Sequence, residues 1–546
     1  MKKISASSLK KLLRSGQEIA LLDVREHGQY GACHLFFAVS IPYSLLEYRV
    51  RELVPNLHTP IVFYTNAQQH QLMQQVSERL KSLAYDNVAV LEGGIEAWQE
   101  AGYNTFAGVN LPSKTFGELA ELKYRTPHLS AQQLHALMND PSAKLLILDG
   151  RPLAEYQKMN IPGAICCPNG ELALRATQMV ADESTTIVIN CAGRTRSIIG
   201  AQSLINFGIK NPVYALENGT QGWYLEDFKL EHGATRQYPE AIDSSLQSAL
   251  QVKGQALQQR FELPTITLED LINLLASEQG TTYVCDIRTQ EEFKRAAWPS
   301  IVRHTPGGQL IQATDEFIGV RNANLVLIDT DGIRAPVVAS WLKQLGWSVY
   351  LLPLSEGTKD LSKRLPERPS VELVLRHSTE IAAEALEDFI QQHVDLLIAD
   401  TRNSMDFKKQ HLNNAIWLNR SHLLHQHELL QPLFNAPKSQ AILLMGDNQA
   451  KNRLLAADLA HLGFKHLYLV QIEPKFFANT HHALSQDDAL LSEADCIDYL
   501  FFLHDRHQYN KAAARQYLKW ETDLISKTDE DEKAVFNFSY AKPHSN

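Results

Sequence analysis

Four times in this chain an apolar run closes on Asp-x-Arg: at Leu21-Leu22-Asp23-Val24-Arg25, Ile147-Leu148-Asp149-Gly150-Arg151, Val284-Cys285-Asp286-Ile287-Arg288 and Ile398-Ala399-Asp400-Thr401-Arg402. The copies lie more than a hundred residues apart. Solenoid repeats recur every ~20–50 residues, so each copy marks a domain rather than a repeat unit. A similar order surrounds each marker. A polar-capped helix such as Ser130–Leu134 precedes it, and a loop, often of Pro-Gly-Ala character (Ile161–Ala164), and a helical segment follow. A second apolar strand then feeds a short loop and a long helix: Ile61–Tyr64, Ile187–Asn190, Leu325–Ile328 and Ile442–Met445. Third strands fall near Val88–Leu91, Val213–Leu216, Val349–Leu352 and Leu467–Val470. Unbroken apolar strands alternating with helices imply α/β units, each a mainly parallel central sheet with helices on both faces.

The expected domains are 1–107, 127–231, 264–358 and 376–475, with a helical C-terminal extension over 476–546. Linkers fall near 108–126, 231–264 and 358–378, the second carrying a helix over Ile242–Arg260. The extension packs on the fourth domain or on a second copy of the chain, so a homo-oligomer stays open.

Net charge is −10, which gives no global basic field for nucleic acid or an anionic membrane. Attraction for an anionic ligand must therefore be local. The basic N-terminus lacks the apolar stretch of a signal peptide, and no apolar run reaches the ~18–20 residues that span a bilayer. Six cysteines in 546 residues are too sparse for a disulfide framework, so a reducing cytoplasm is expected. The 21 histidines form no zinc-site spacing, and no Gly-rich nucleotide motif joins a strand to a helix, so neither metal nor cofactor is expected.

Chemistry concentrates in Val188–Leu204. An apolar strand ends in Cys191, the loop Cys191-Ala192-Gly193-Arg194-Thr195-Arg196 follows, and a helical pattern begins with Ser197. A thiol at a helix N-terminus between two cations is favoured as thiolate, and the loop N–H groups form an anion cradle. Counting back from the late-helix glycines puts the same position at Asp329 and Gly446, and the strand end puts it near Thr65. Only Cys191 is a nucleophile.

These features together resemble the rhodanese superfamily: Asp-x-Arg after the first strand, the Pro-Gly-Ala turn, Cys-x-x-x-x-Arg after a later strand, and Leu91-Glu92-Gly93-Gly94-Ile95-Glu96-Ala97-Trp98 with its variant Leu216–Trp223. Four tandem units of this kind would cover residues 1–475, as in multidomain thiosulfate sulfurtransferases, with the second catalytic and the other three silent. The resemblance implies a ping-pong cycle. The Cys191 thiolate takes sulfane sulfur from a small anionic donor such as thiosulfate, and a thiol or cyanide removes it. Arg194 and Arg196 would attract the donor, Gly193 would allow the tight curve, and Ala192, Thr195 and Ser197 would complete the binding loop. Thiosulfate, 3-mercaptopyruvate and a low-molecular-weight persulfide all remain open as donors, the two arginines favouring a dianion.

Asp149 and Arg151 recur in every unit, including those without a nucleophile, which points to a structural brace. Cys166 and Cys167 are expected as strand-end packing, with a resolving thiol as the alternative. Asn169 and Glu171 are candidate pocket residues. Two other functions stay in view. A phosphatase or arsenate reductase of the related fold would place five residues between cysteine and arginine, where this chain has four. A binding scaffold would explain the three altered loops but not Cys191.

Overall fold

The computed structural model describes residues 2–277, 280–354, 361–368, 371, 377–393, 395–473, 475–486, 491–504 and 510–542. It contains four parallel sheets built to one plan. In the first, the strands lie in the order Lys2–Ile4, Val88–Leu91, Ile61–Tyr64, Ala20–Asp23 and Val39–Ser40. The second runs His128–Leu129, Val213–Leu216, Thr186–Asn190, Leu145–Asp149 and Ile165–Cys166. The fourth runs Ser378–Glu380, His466–Gln471, Ala441–Gly446, Leu397–Asp400 and Ile416–Trp417. The third keeps four strands, Ser348–Pro353, Asn324–Asp329, Thr282–Asp286 and Val302–His304, and a single bridge from Thr265 to Leu351 stands where the others have an edge strand.

Burial on both faces explains the unbroken apolar strands. In the second sheet Ile147 and Val188 face one cluster with Leu134, Tyr156, Leu216 and Trp223. Their neighbours Leu146, Leu148, Ile187 and Ile189 face the other, with Leu172, Ala201 and Leu204. The alternation is the two-residue period of a strand, with both phases apolar because helices cover both sides.

Each Asp-x-Arg marker is a buried fork. Arg151 Nε and Nη2 donate to the two carboxylate oxygens of Asp149 at 2.9 and 2.7 Å, and the Arg151 N–H donates to the first of them at 3.1 Å. Arg25 on Asp23, Arg288 on Asp286 and Arg402 on Asp400 repeat the fork. In three copies the same guanidinium also donates to a carbonyl eight residues on, at Cys33, Met159 and Gln410. The pair thus pins the turn after the first strand with charge-assisted bonds.

Contacts divide the chain into two compact units, residues 1–10, 20–108 and 369–501, and residues 11–19, 109–368 and 502–546. The first unit joins the first and fourth sheets. Arg420, 1% exposed, donates to both carboxylate oxygens of Glu47 at 2.6 and 2.8 Å and to the Tyr43 carbonyl at 3.0 Å. The second unit joins the second and third sheets in a near-symmetric way. Arg196 forks onto Glu155 and reaches Gln309, while Arg334 forks onto Glu292 and reaches Glu171.

Two expectations need correction. Residues 108–126 are not a bare linker: Leu111–Tyr124 is a helix with Phe116, Gly117, Ala120 and Tyr124 buried. The C-terminal extension does not pack as one piece on the fourth domain. Its part up to Phe501 belongs to the first unit, and the helix Lys511–Lys527 belongs to the second, lying on the Leu111–Tyr124 helix.

Candidate active site

The strand registers fix which residue occupies the active position in each sheet. Asp149 pairs with Asn190, Asp23 with Tyr64, Asp286 with Ile328 and Asp400 with Met445. The next residues are Cys191, Thr65, Asp329 and Gly446.

Cys191 is 2% exposed at the end of the strand Thr186–Asn190. Ser197, in the first turn of the helix Thr195–Phe207, donates its hydroxyl to the Cys191 sulfur at 3.0 Å. The start of the helix Gly219–Leu225 closes the other side: Thr220 N–H donates to the Cys191 carbonyl at 2.8 Å and Gln221 N–H to the Ala192 carbonyl at 3.1 Å. Gly219 sits at φ +53°, and a methyl group there would come within 2.2 Å of the Cys191 carbonyl oxygen, so this approach requires glycine. Among the described residues, the N–H groups of Ala192, Gly193, Arg194, Thr195 and Arg196 have no protein acceptor.

Some of the corresponding N–H groups are taken in each silent loop. In the third, Asp329 accepts from Gly332 and Ala335, and Asp331 accepts from Ile333 and Arg334. Burial first, then the neighbouring Asp331, push the Asp329 carboxyl up to about 7. In the fourth, Asn448 accepts from Ala450 and Lys451. In the first, Ala67 N–H donates to Glu96 at 2.8 Å. In each silent loop side-chain oxygens of the protein itself hold some of the donors, whereas none of the five after Cys191 is held this way among the described residues.

Both arginines of the loop are ion-paired within the chain. Arg194 donates to Glu118 at 2.7 Å, to Glu121 and to Asn218 at 3.3 Å, so carboxylates already balance its charge. Arg196 is forked onto Glu155 at 2.8 and 2.7 Å. Burial opposes the Arg196 charge, but Glu155 first, then Cys191, outweigh it and hold the guanidinium above its ordinary value. Arg196 therefore lies within electrostatic reach of the sulfur while its hydrogen bonds go elsewhere.

The other named residues separate cleanly. Asn169 donates to the Arg196 carbonyl at 2.9 Å and so steadies the loop. Glu171 holds Arg175 and Arg334, linking the second and third sheets rather than lining the cysteine loop. Cys166 and Cys167 face opposite hydrophobic clusters. Burial first, then Asp149, push the Cys166 thiol up to about 12, and burial first, then Glu171, push Cys167 well above its ordinary value.

Sequence reasoning missed a roof over the loop. The C-terminal helix brings Glu521 and Tyr517, both buried, over Gly193: a methyl group there would lie 3.0 Å from Glu521 Oε2 and 3.4 Å from Tyr517 Cε1. Thr195 donates to Glu521 at 2.8 Å, and Lys114 donates to Glu521 at 3.3 Å and to the Tyr517 hydroxyl at 2.5 Å. Glu118 stands beside this group. Burial first pushes its carboxyl up to about 7, against the hydrogen bond from Arg194.

Comparison with known proteins agrees with this plan. The rhodanese-like domain model matches residues 5–101, 130–226 and 382–471, just over half of the chain. The chain belongs to the rhodanese-like family. The crystal structure of a thiosulfate sulfurtransferase from Pseudomonas aeruginosa superimposes with a TM-score of 0.86 at 35% identity, over 98% of this chain and 99% of that one. A candidate sulfur carrier protein of Bacillus subtilis (strain 168), YrkF, is 33% identical over 84 residues, 15% of this chain. The matched part spans 44% of that relative's length. The third sheet lies outside the matched segments, yet keeps the strand order and the Asp286–Arg288 fork of this rhodanese-like chain. No described helix is long and apolar enough to cross a membrane.

Proposed function

We propose that this rhodanese-like protein is a sulfurtransferase that moves sulfane sulfur from thiosulfate to a thiol or cyanide acceptor through a persulfide on Cys191. The observation that carries this reading is the contrast between loops. Among the described residues, Cys191 alone combines a thiol with five successive loop N–H groups that no side chain of the protein accepts. The full-length likeness to a thiosulfate sulfurtransferase supports the same chemistry.

In the first half-reaction the Cys191 thiolate attacks the outer sulfur of thiosulfate. The new S–S bond forms as the old one breaks, and its electron pair leaves with sulfite. Charge is conserved: thiolate and dianion become persulfide anion and sulfite dianion. The loop N–H groups stabilise the persulfide sulfur without reorganising, as fixed dipoles aimed at the charge. Ser197 steadies the Cys191 thiolate. In the second half-reaction the acceptor attacks the terminal sulfur and Cys191 leaves as thiolate.

In this reading the two arginines act from within their ion pairs. Arg194 holds the loop against Glu118 and Glu121, and Arg196 adds a nearby positive field from within its ion pair. Intact-mass measurement after thiosulfate treatment tests the proposal. The wild type gains one sulfur atom and Cys191→Ala gains none. Gain of sulfur by Cys191→Ala, or turnover of phosphate esters by Cys191 without sulfur transfer, would overturn it.

A further inference from the structure

Gln221 is 3% exposed, and both polar atoms of its side chain are buried without a hydrogen-bond partner. Buried amides nearly always find partners, so an orphan of this kind calls for a reason. Its position supplies one. The Gln221 N–H is anchored on the Ala192 carbonyl, and a methyl group on Gly193 would lie 3.8 Å from Gln221 Nε2. The amide therefore lies beside the loop whose own N–H groups have no protein acceptor.

The first sheet shows what this position can do. Ile95 N–H donates to the Thr65 carbonyl as Thr220 N–H donates to the Cys191 carbonyl, so Glu96 and Gln221 are equivalent. Glu96 reaches into its loop and accepts the Ala67 N–H, closing the ring with a carboxylate. Gln221 accepts none of the corresponding N–H groups, and its amide stays unpartnered beside Gly193. With Arg194 balanced by Glu118 and Glu121, and Glu521 contributing a carboxylate overhead, a neutral donor is the group suited to meet an anion here.

We propose that Gln221 determines donor specificity: its side-chain amide donates to the sulfonate oxygens of the sulfane donor, and to sulfite as it leaves. This rests on the sulfurtransferase reading above. A donor with a sulfonate end uses the amide, and one without does not.

The test compares full-length wild type, Gln221→Leu and Gln221→Glu with thiosulfate and with a small organic persulfide lacking a sulfonate. The measured quantity is the ratio of kcat/KM for the two donors. Loss of one hydrogen bond to a charged group predicts a ratio about tenfold lower in Gln221→Leu, expressed mainly through KM for thiosulfate. Gln221→Glu, nearly isosteric, lowers the ratio further by repelling the dianion and by closing the ring as Glu96 does. A ratio within twofold of wild type in either variant overturns the role of Gln221. A wild type that loads Cys191 from neither donor instead overturns the sulfurtransferase reading itself.

Discussion

The Ser197 hydroxyl points its proton at the Cys191 sulfur across 3.0 Å, one turn into the helix that the cysteine loop opens. The bond stabilises the Cys191 thiolate that attacks in loading and leaves in the second half-reaction. A hydrogen bond to a charged group contributes about 1.5–3 kcal/mol. Ser197→Ala should therefore lower kcat/KM for sulfur loading by about tenfold or more. Ser197→Thr keeps the hydroxyl and should retain most of the activity. Steady-state kinetics on both variants checks this, and equal losses in both would show that packing, not the hydroxyl, matters.

Restoring a thiol to the third sheet should not restore chemistry there. Asp331 still accepts the N–H groups of Ile333 and Arg334 when Asp329 is replaced. A Cys191→Ala, Asp329→Cys double variant should gain no sulfur from thiosulfate by intact mass. Adding Asp331→Gly, which frees those donors, is the change expected to permit loading.

Asp329 also makes stability depend on pH. Its carboxyl, held up to about 7 by burial, binds a proton more tightly in the folded chain than in the unfolded one. Its stabilising contribution is full below the ordinary carboxylate range and is lost as pH rises through about 7. Asp329→Asn resembles the protonated acid at every pH. The variant should melt close to wild type at about pH 3.5, below the ordinary carboxylate value, and several degrees higher at pH 8. Thermal unfolding at the two pH values decides it, and an equal shift at both would contradict the linkage.

Lys114 and Glu521 form a buried pair that ties the C-terminal helix to the active loop through Thr195. Removing one partner of a buried pair costs about 3–5 kcal/mol because the other charge is stranded. Glu521→Leu should destabilise the protein strongly and slow sulfur loading. Lys114→Met with Glu521→Leu should recover much of the stability. Chemical denaturation of the two singles and the double supplies the coupling energy.

The repeat, the sheet pattern and the nucleophile position could all be read from local sequence, because each rests on residues close together in the chain. Asp149 and Arg151 are two residues apart, and the strand-to-loop step ending in Cys191 is contiguous. What could not be read depends on distant partners. Glu521 meets Thr195 across 326 residues, and Arg334 meets Glu171 across 163. Nothing in Arg194-Thr195-Arg196 announces that carboxylates elsewhere will claim both guanidinium groups. The signal for the Leu111–Tyr124 helix was its apolar spacing at Leu111, Phe116 and Ala120, hidden by Pro112 and Gly117, which read as linker residues.

The Glu47–Arg420 pair has a consequence for synthesis. Glu47 emerges from the ribosome 373 residues before the arginine that neutralises it. At about 5–20 residues per second that interval is roughly 20–75 s. Throughout it Glu47 has Arg79 of its own domain, 3.7 Å away in the folded chain, as its cationic neighbour. An ion pair that joins an early segment to a late one thus sets the time at which this unit can be completed, after the second and third sheets have been synthesised.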